Sequence, residues 1–257
     1  MRLLFWRRTT ASGAQAPDAT PKATMPVMEH LTELRRRIII CVVAVVVTAA
    51  VSFAISDWIL SAFLRFYRDA VDDPTRKFIF TGPLDAFVTR IKVATYAGIV
   101  LASPVWLYQL WRFVTPGLSS KERRYAYPFL ASSITLFVLG GVVAVITLEP
   151  ALRFLLGSGG EAQEALLTSD KYLSLVTLMI LAFGLSFEFP ILLMFLLLAR
   201  VVTTRQLRAH RRWAILGITV FTAVITPSQD PFSMFFMAAP MYLFFEAVII
   251  IGRILKR

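Results

Sequence analysis

The chain has one cysteine, Cys41, and two histidines, His30 and His210. A single thiol excludes an intrachain disulfide. Cys41 sits within an apolar run, where it reads as a small buried hydrophobe. Both histidines lie in basic segments, which leaves too few ligands at one depth for a membrane metalloprotease, and HExxH is absent. Neither a GxSxG elbow nor a Walker loop occurs, and a membrane serine dyad would lack its histidine. The residues therefore predict no catalytic site, no metal and no cofactor.

Acid is also scarce. There are 16 Asp and Glu against 27 Lys and Arg, a net charge of +11. Such a balance can signal nucleic-acid binding. Here the basic residues fall in short segments between apolar runs, without aromatic interleaving or a basic domain, so nucleic acid is excluded.

What the chain has in abundance is apolar sequence. Of its 257 residues 57% are hydrophobic, including 21 Phe, and the mean hydropathy is +0.69. This is the composition of a polytopic membrane protein. Candidate spans are Ile38–Ser56, Val93–Trp111, Tyr125–Leu148, Tyr172–Ala199, Trp213–Thr226 and Phe232–Ile251. A full crossing needs about 20 residues. The fifth run is short, and the sixth is interrupted by Glu246, which is expected to meet Arg253 or headgroups. Such a pair predicts a locally thinned bilayer or tilted, shielded packing. Residues 1–27 read as a disordered tail and 28–257 as the membrane domain. No apolar stretch follows Arg7-Arg8, so no cleavable signal peptide is expected there.

Loop charge sets orientation. Arg35–Arg37, Arg112, Lys121, Arg123, Arg124, Arg200, Arg205, Arg208, Arg211, Arg212 and Arg253 mark one side as cytoplasmic. On the other side Arg65, Arg68, Arg76 and Lys77 are offset by Asp57, Asp69, Asp72 and Asp73. The expected fold is all-α, with six spans and both termini inside. Between the first two spans, Ile59, Leu60, Phe63, Leu64, Phe66 and Tyr67 predict an amphipathic helix lying at the outer interface. Arg90 and Lys92, near the outer end of the second span, are expected to snorkel.

Four constellations stand out. Glu29-His30-Leu31-Thr32-Glu33-Leu34-Arg35-Arg36-Arg37 leads into the first span. From spacing alone it reads as a solvated, amphipathic helix entry with stop-transfer charges. Glu122 follows the Pro116-Gly117 turn, either as an acid in the first turn of a capped helix or as an exposed acid beside an aromatic platform. Glu188 lies in Gly184-Leu185-Ser186-Phe187-Glu188-Phe189-Pro190, with no basic residue in its run. A carboxylate at the bilayer centre costs roughly 2.5–3.5 kcal/mol even on the lenient insertion scale, so it points to water, a partner or a substrate path. Asp230, in Thr226-Pro227-Ser228-Gln229-Asp230-Pro231, reads as a cap on the sixth helix, and Asp85 occupies the equivalent place on the second. On these residues alone a small proton-coupled secondary transporter built on Glu188 is the competing function.

Longer motifs then carry a resemblance. They are His30-Leu31-x-Glu33-Leu34-Arg35-x-Arg37, Thr81-x-Pro83-x-Asp85-x-Phe87, and Pro104-x-x-x-Tyr108-Gln109-x-Trp111-x-Phe113-x-x-Pro116-Gly117-Leu118-x-x-x-Glu122-Arg123-Arg124. Later come Phe183-Gly184-x-Ser186-Phe187-Glu188-x-Pro190, Thr226-Pro227 and Pro240-Met241-Tyr242-x-x-x-Glu246. From about Met28 to Arg253 the chain resembles the TatC family, the multispanning component of the twin-arginine protein translocase. The resemblance implies a glove-like bundle in the bacterial cytoplasmic membrane that recognises twin-arginine signal peptides of folded cargo. It implies transport driven by the proton motive force, with TatA- and TatB-type single-span partners, membrane lipids and self-association within the complex. Carried over by motif, Glu33 and Glu122 bind the signal-peptide arginines, with Phe113 and Arg35 nearby. Glu188 lines the concave face, where Thr226 and Ser233 join it as a polar partner site. Ser233-Met234 occupies a stretch where some relatives have a Gln, and Met234 cannot donate an amide hydrogen bond.

Overall fold

The structure, a computed structural model, describes residues 27–71, 77, 79, 80, 82–114, 126–158 and 168–254. Regular structure among them is helical apart from one isolated bridge between Ile79 and Thr168. In chain order the helices are α1 (Val27–Ala54), α2 (Ser56–Val71), α3 (Asp85–Leu101), α4 (Ser103–Val114) and α5 (Ala126–Gly157). They continue with α6 (Ser169–Ser186), α7 (Phe189–Leu198), α8 (Thr204–Ala209), α9 (Arg211–Ile225) and α10 (Pro231–Ile254).

Four stretches are long and apolar enough to cross a membrane: Leu31–Ala54, Tyr127–Gly157, Ser169–Leu198 and Pro231–Ile254. The bent pair α3–α4 adds a fifth. At 15 residues α9 reaches about 22 Å, less than the hydrocarbon thickness. The sixth apolar run is not short as the sequence suggested. A helix of 24 residues continues without a break through Pro240 and Glu246. The reason is a partner: Arg211 of α9 donates to Glu246 at 2.6 Å and Tyr242 donates at 3.3 Å. Glu246 therefore pairs with Arg211 rather than with Arg253.

Two expected spans are interrupted. The second turns by 49° at Ala102. Pro104 cannot donate to the carbonyl one turn back, and the indole N–H of Trp106 donates to the Ile99 carbonyl at 3.1 Å across the bend. The fourth breaks at Phe187-Glu188. Pro190 opens α7 and leaves the Ser186 carbonyl without its usual donor. The third, by contrast, extends past Leu148 and through Pro150 to Gly157.

Amphipathic α2 forms as its pattern predicts. It lays Phe63, Leu64 and Tyr67 against the core, where the Tyr172 hydroxyl donates to the Phe63 carbonyl at 2.9 Å. At the same end, Arg90 pairs with Asp57 and Lys92 with Asp170 at 2.7 Å. These two cations tie α3 to α2 and α6, so each has a carboxylate partner within the chain. The Ser169 N–H completes the end by donating to the Ile79 carbonyl at 3.1 Å.

The core gathers Tyr172, Val176, Met179 and Phe183 of α6 with Met237, Met241 and Phe245 of α10. Close approaches between helices depend on small residues, the membrane substitute for hydrophobic association. A Cβ on Gly98 would lie 2.7 Å from the backbone of Ala49. The Thr48 hydroxyl of α1 also donates to the Gly98 carbonyl at 2.7 Å. A Cβ on Gly140 would meet the Phe183 carbonyl at 2.6 Å.

Gly98→Ala is therefore expected to push α1 from α3 and to destabilise the fold by about 1–3 kcal/mol, since backbone cannot yield as a side chain does. Nothing lies within 4 Å of a Cβ on Gly217. Gly217→Ala should be neutral, or stabilising by up to about 1 kcal/mol through helix propensity. Thermal melts of the two purified variants in detergent test the contrast; equal behaviour would discard the close-approach account.

Candidate functional site

The helix entry of α1 holds the first candidate. Glu33 and Arg37 are one turn apart and share a face, so they form an i,i+4 ion pair between Arg37 Nη2 and Glu33 Oε1. The three arginines of the motif do not behave alike. Arg35 and Arg36 are exposed, whereas Arg37 is only 8% exposed. Burial comes from the packing of α1 on α4. There Arg37 Nη1 donates to Gln109 Oε1 at 3.3 Å. A groove of about 240 Å³ runs beside the contact, lined by Leu34, Ile38, Cys41, Trp106, Leu110 and Phe113 together with Arg37 and Gln109. The structure thus brings Glu33, by way of Arg37, to the corner that Phe113 lines. Arg35 is not part of that corner. Glu122 lies outside the described residues.

Trp111 anchors this end of α4. It stacks on Phe129 of α5 at 5.1 Å and donates its indole N–H to Ser133 at 2.7 Å. The Ser133 hydroxyl in turn faces the carboxylate of Glu188. Glu188 occupies the break between α6 and α7 because Pro190 follows it, and its own backbone is already in the helical region. Its Oε1 is buried and has no hydrogen-bond partner among the described residues. A line of contacts therefore runs from α4 through Ser133 to the membrane acid. It supplies at most one hydroxyl donor and no cation.

Thr226 and Ser233 are placed elsewhere. Both are buried at the α9–α10 turn. The Thr226 hydroxyl donates to the Thr222 carbonyl at 2.6 Å, and at 3.8 Å also lies against Met237 Sδ. From α6, the Ser186 hydroxyl reaches the same sulfur at 3.4 Å. Ser186 thus faces α10, while Glu188, two residues on, faces α5. Asp230 caps α10 by accepting from the Ser233 N–H at 2.8 Å. Its second oxygen and the Ser233 and Ser228 hydroxyls are buried without a partner among the described residues. Asp85 accepts from the Gly82 N–H at 2.7 Å and so closes the turn that starts α3.

Sequence reasoning placed Arg37 and Gln109 in motifs without giving them roles. The i,i+4 spacing from Glu33 could have identified Arg37. A lone amide between Trp106 and Trp111 was the signal for Gln109. Ser133 carried no signal, since it is one hydroxyl in an apolar helix.

The fold and these residues can now be set beside known proteins. A family model described as Sec-independent protein translocase protein (TatC) matches residues 29–240. The Sec-independent protein translocase protein TatC of Frankia casuarinae is 45% identical over 238 residues, a match covering 89% of this chain and 65% of that longer relative. The TatC of Aquifex aeolicus is 37% identical, over 91% of this chain and 97% of its own. A crystal structure of a twin-arginine translocase receptor, TatC, superposes with a TM-score of 0.73 at 36% identity and covers 89% of this chain and all of that one. By sequence along most of its length and by helix arrangement, the chain belongs to the TatC family of Sec-independent protein translocase proteins, and with them to the membrane.

Proposed function

We propose that this chain is the signal-peptide-recognising subunit of a twin-arginine translocase in the cytoplasmic membrane. The observation that carries the reading is the α1–α4 corner, where an acid, a buried arginine, an amide and Phe113 meet. A carboxylate there takes a guanidinium in bidentate fashion, and a lysine ammonium cannot reproduce that geometry. Glu33 and Glu122 are the two acids assigned to the paired arginines, with Phe113 beside them and Arg35 contributing to the surrounding charge.

The topology belongs to the same reading. It has six spans, counting α3–α4 and α6–α7 as one each and α9 as a short fifth, with both termini cytoplasmic by loop charge. Folded cargo moves with TatA- and TatB-type single-span partners in a self-associated complex, driven by the proton gradient. Glu188, Thr226 and Ser233 are assigned to contact with those partners or with the inserted peptide. Glu188 supports this because one of its carboxylate oxygens is buried without a donor among the described residues. The same feature is what a proton-coupled transporter would need. Solute flux through the purified chain in liposomes would favour that second reading.

Crosslinking of a twin-arginine signal peptide to the membrane-embedded protein tests the site. Glu33→Ala and Glu122→Ala are each expected to weaken capture by about tenfold or more, the scale of one charge-assisted hydrogen bond. Unchanged capture by both variants would remove these acids from recognition. Glu188→Ala, by contrast, should leave the initial capture within about twofold and lower export of a folded reporter by about tenfold or more. Full export by Glu188→Ala would discard the role given to the membrane acid.

A further inference from the structure

Glu33 already holds a cation of its own chain. Arg37 is 8% exposed and reaches Glu33 with one nitrogen and Gln109 with another at 3.3 Å. Its Nε is buried and has no partner among the described residues. Pulling Arg37 off Glu33 would strand a buried guanidinium that is already under-satisfied, which is strongly unfavourable. An arriving guanidinium therefore adds to the pair instead of displacing Arg37. A carboxylate has the capacity for this, with two oxygens and about four acceptor sites.

The order of contacts then matters. Gln109 stands on α4, so its bond to Arg37 crosses between helices and fixes the guanidinium plane. Arg37 in turn fixes the edge that Glu33 presents. A freely rotating carboxylate must give up that freedom before it can take the fork, a cost an ammonium does not impose. A carboxylate held in one plane favours the planar fork. We propose that Arg37 and Gln109 are positioning residues for recognition, and that through Glu33 they make the site prefer arginine over lysine. This inference rests on the reading of Glu33 given above and goes beyond it by locating the selectivity in two residues that do not touch the peptide.

The test uses the full chain in lipid nanodiscs and two fluorescent signal peptides, one with Arg-Arg and one with Lys-Lys, whose Kd ratio is measured. Wild type is expected to prefer Arg-Arg. Gln109→Leu and Arg37→Lys are each expected to shrink that preference about tenfold, mainly by weakening the Arg-Arg complex. Arg37→Lys keeps the charge beside Glu33 and loses the second arm of the fork, so a purely electrostatic role for Arg37 would leave the ratio unmoved. Should Arg37→Lys fail to fold, as shown by its thermal melt, Gln109→Leu carries the test alone. A ratio within twofold of wild type in folded Gln109→Leu, with Glu33→Gln still abolishing capture, overturns the positioning role and leaves the Glu33 site standing. If Glu33→Gln captures the peptide as wild type does, the site itself is misplaced and the positioning role falls with it.

Discussion

The approach of α1 to α3 at Gly98 is the contact on which the candidate site depends. Most of α1 faces outward, with Ile38, Ile39, Val42, Val43, Val46 and Val47 exposed. In a membrane such a helix gains nothing from hydrophobic burial, because lipid tails are as apolar as its side chains. Association has to come from close packing and hydrogen bonds. Gly98 lets the backbones meet, and Thr48 adds a bond to the carbonyl of that same glycine. The rotation of α1 set at that contact, about ten residues into the helix from Arg37, is what delivers Arg37 to Gln109 and hence orients Glu33.

Charge follows a second constraint. Several charged side chains are answered from a neighbouring helix: Arg37 by Gln109, Glu246 by Arg211, Lys92 by Asp170. Each of these bonds links two helices through residues at least 35 positions apart in sequence. Ion pairs near the ends of a bundle contribute modestly when exposed, but they fix rotation and register. The short α9 illustrates this. It is too short for a comfortable crossing, and its Arg211–Glu246 bond anchors one end to α10 while the Asp230-capped turn closes the other.

Much of this was legible in the sequence. Hydropathy located the apolar runs, periodicity located α2, and the motif Glu33–Arg37 marked the entry of α1. What the residues could not reveal were facts of pairing. Ala102 gives no hint of a 49° turn; only Pro104 beside it does. Glu246 looked like the end of an apolar run because its counter-ion, Arg211, lies 35 residues away in sequence. Arg37 looked like one of three solvated stop-transfer charges because burial of one face of α1 depends on α4. Local pattern reports which residues are apolar and at what period; it does not report which distant polar group will meet which.

Glu33 and Glu188 differ in one respect that matters. Glu33 is answered within the chain and so is ready in a fixed orientation before any peptide arrives. Glu188 faces one hydroxyl, and its second oxygen has no partner among the described residues. An under-satisfied buried carboxylate is costly for the chain alone, and that cost falls when another chain supplies a donor. Recognition needs geometry prepared in advance, since discrimination between guanidinium and ammonium lies in the approach. Assembly gains from the opposite arrangement, because a group left unsatisfied in the free subunit rewards the partner that satisfies it. The distribution of hydrogen bonds across these two sites is thus the physical basis for assigning the first to selection and the second to association.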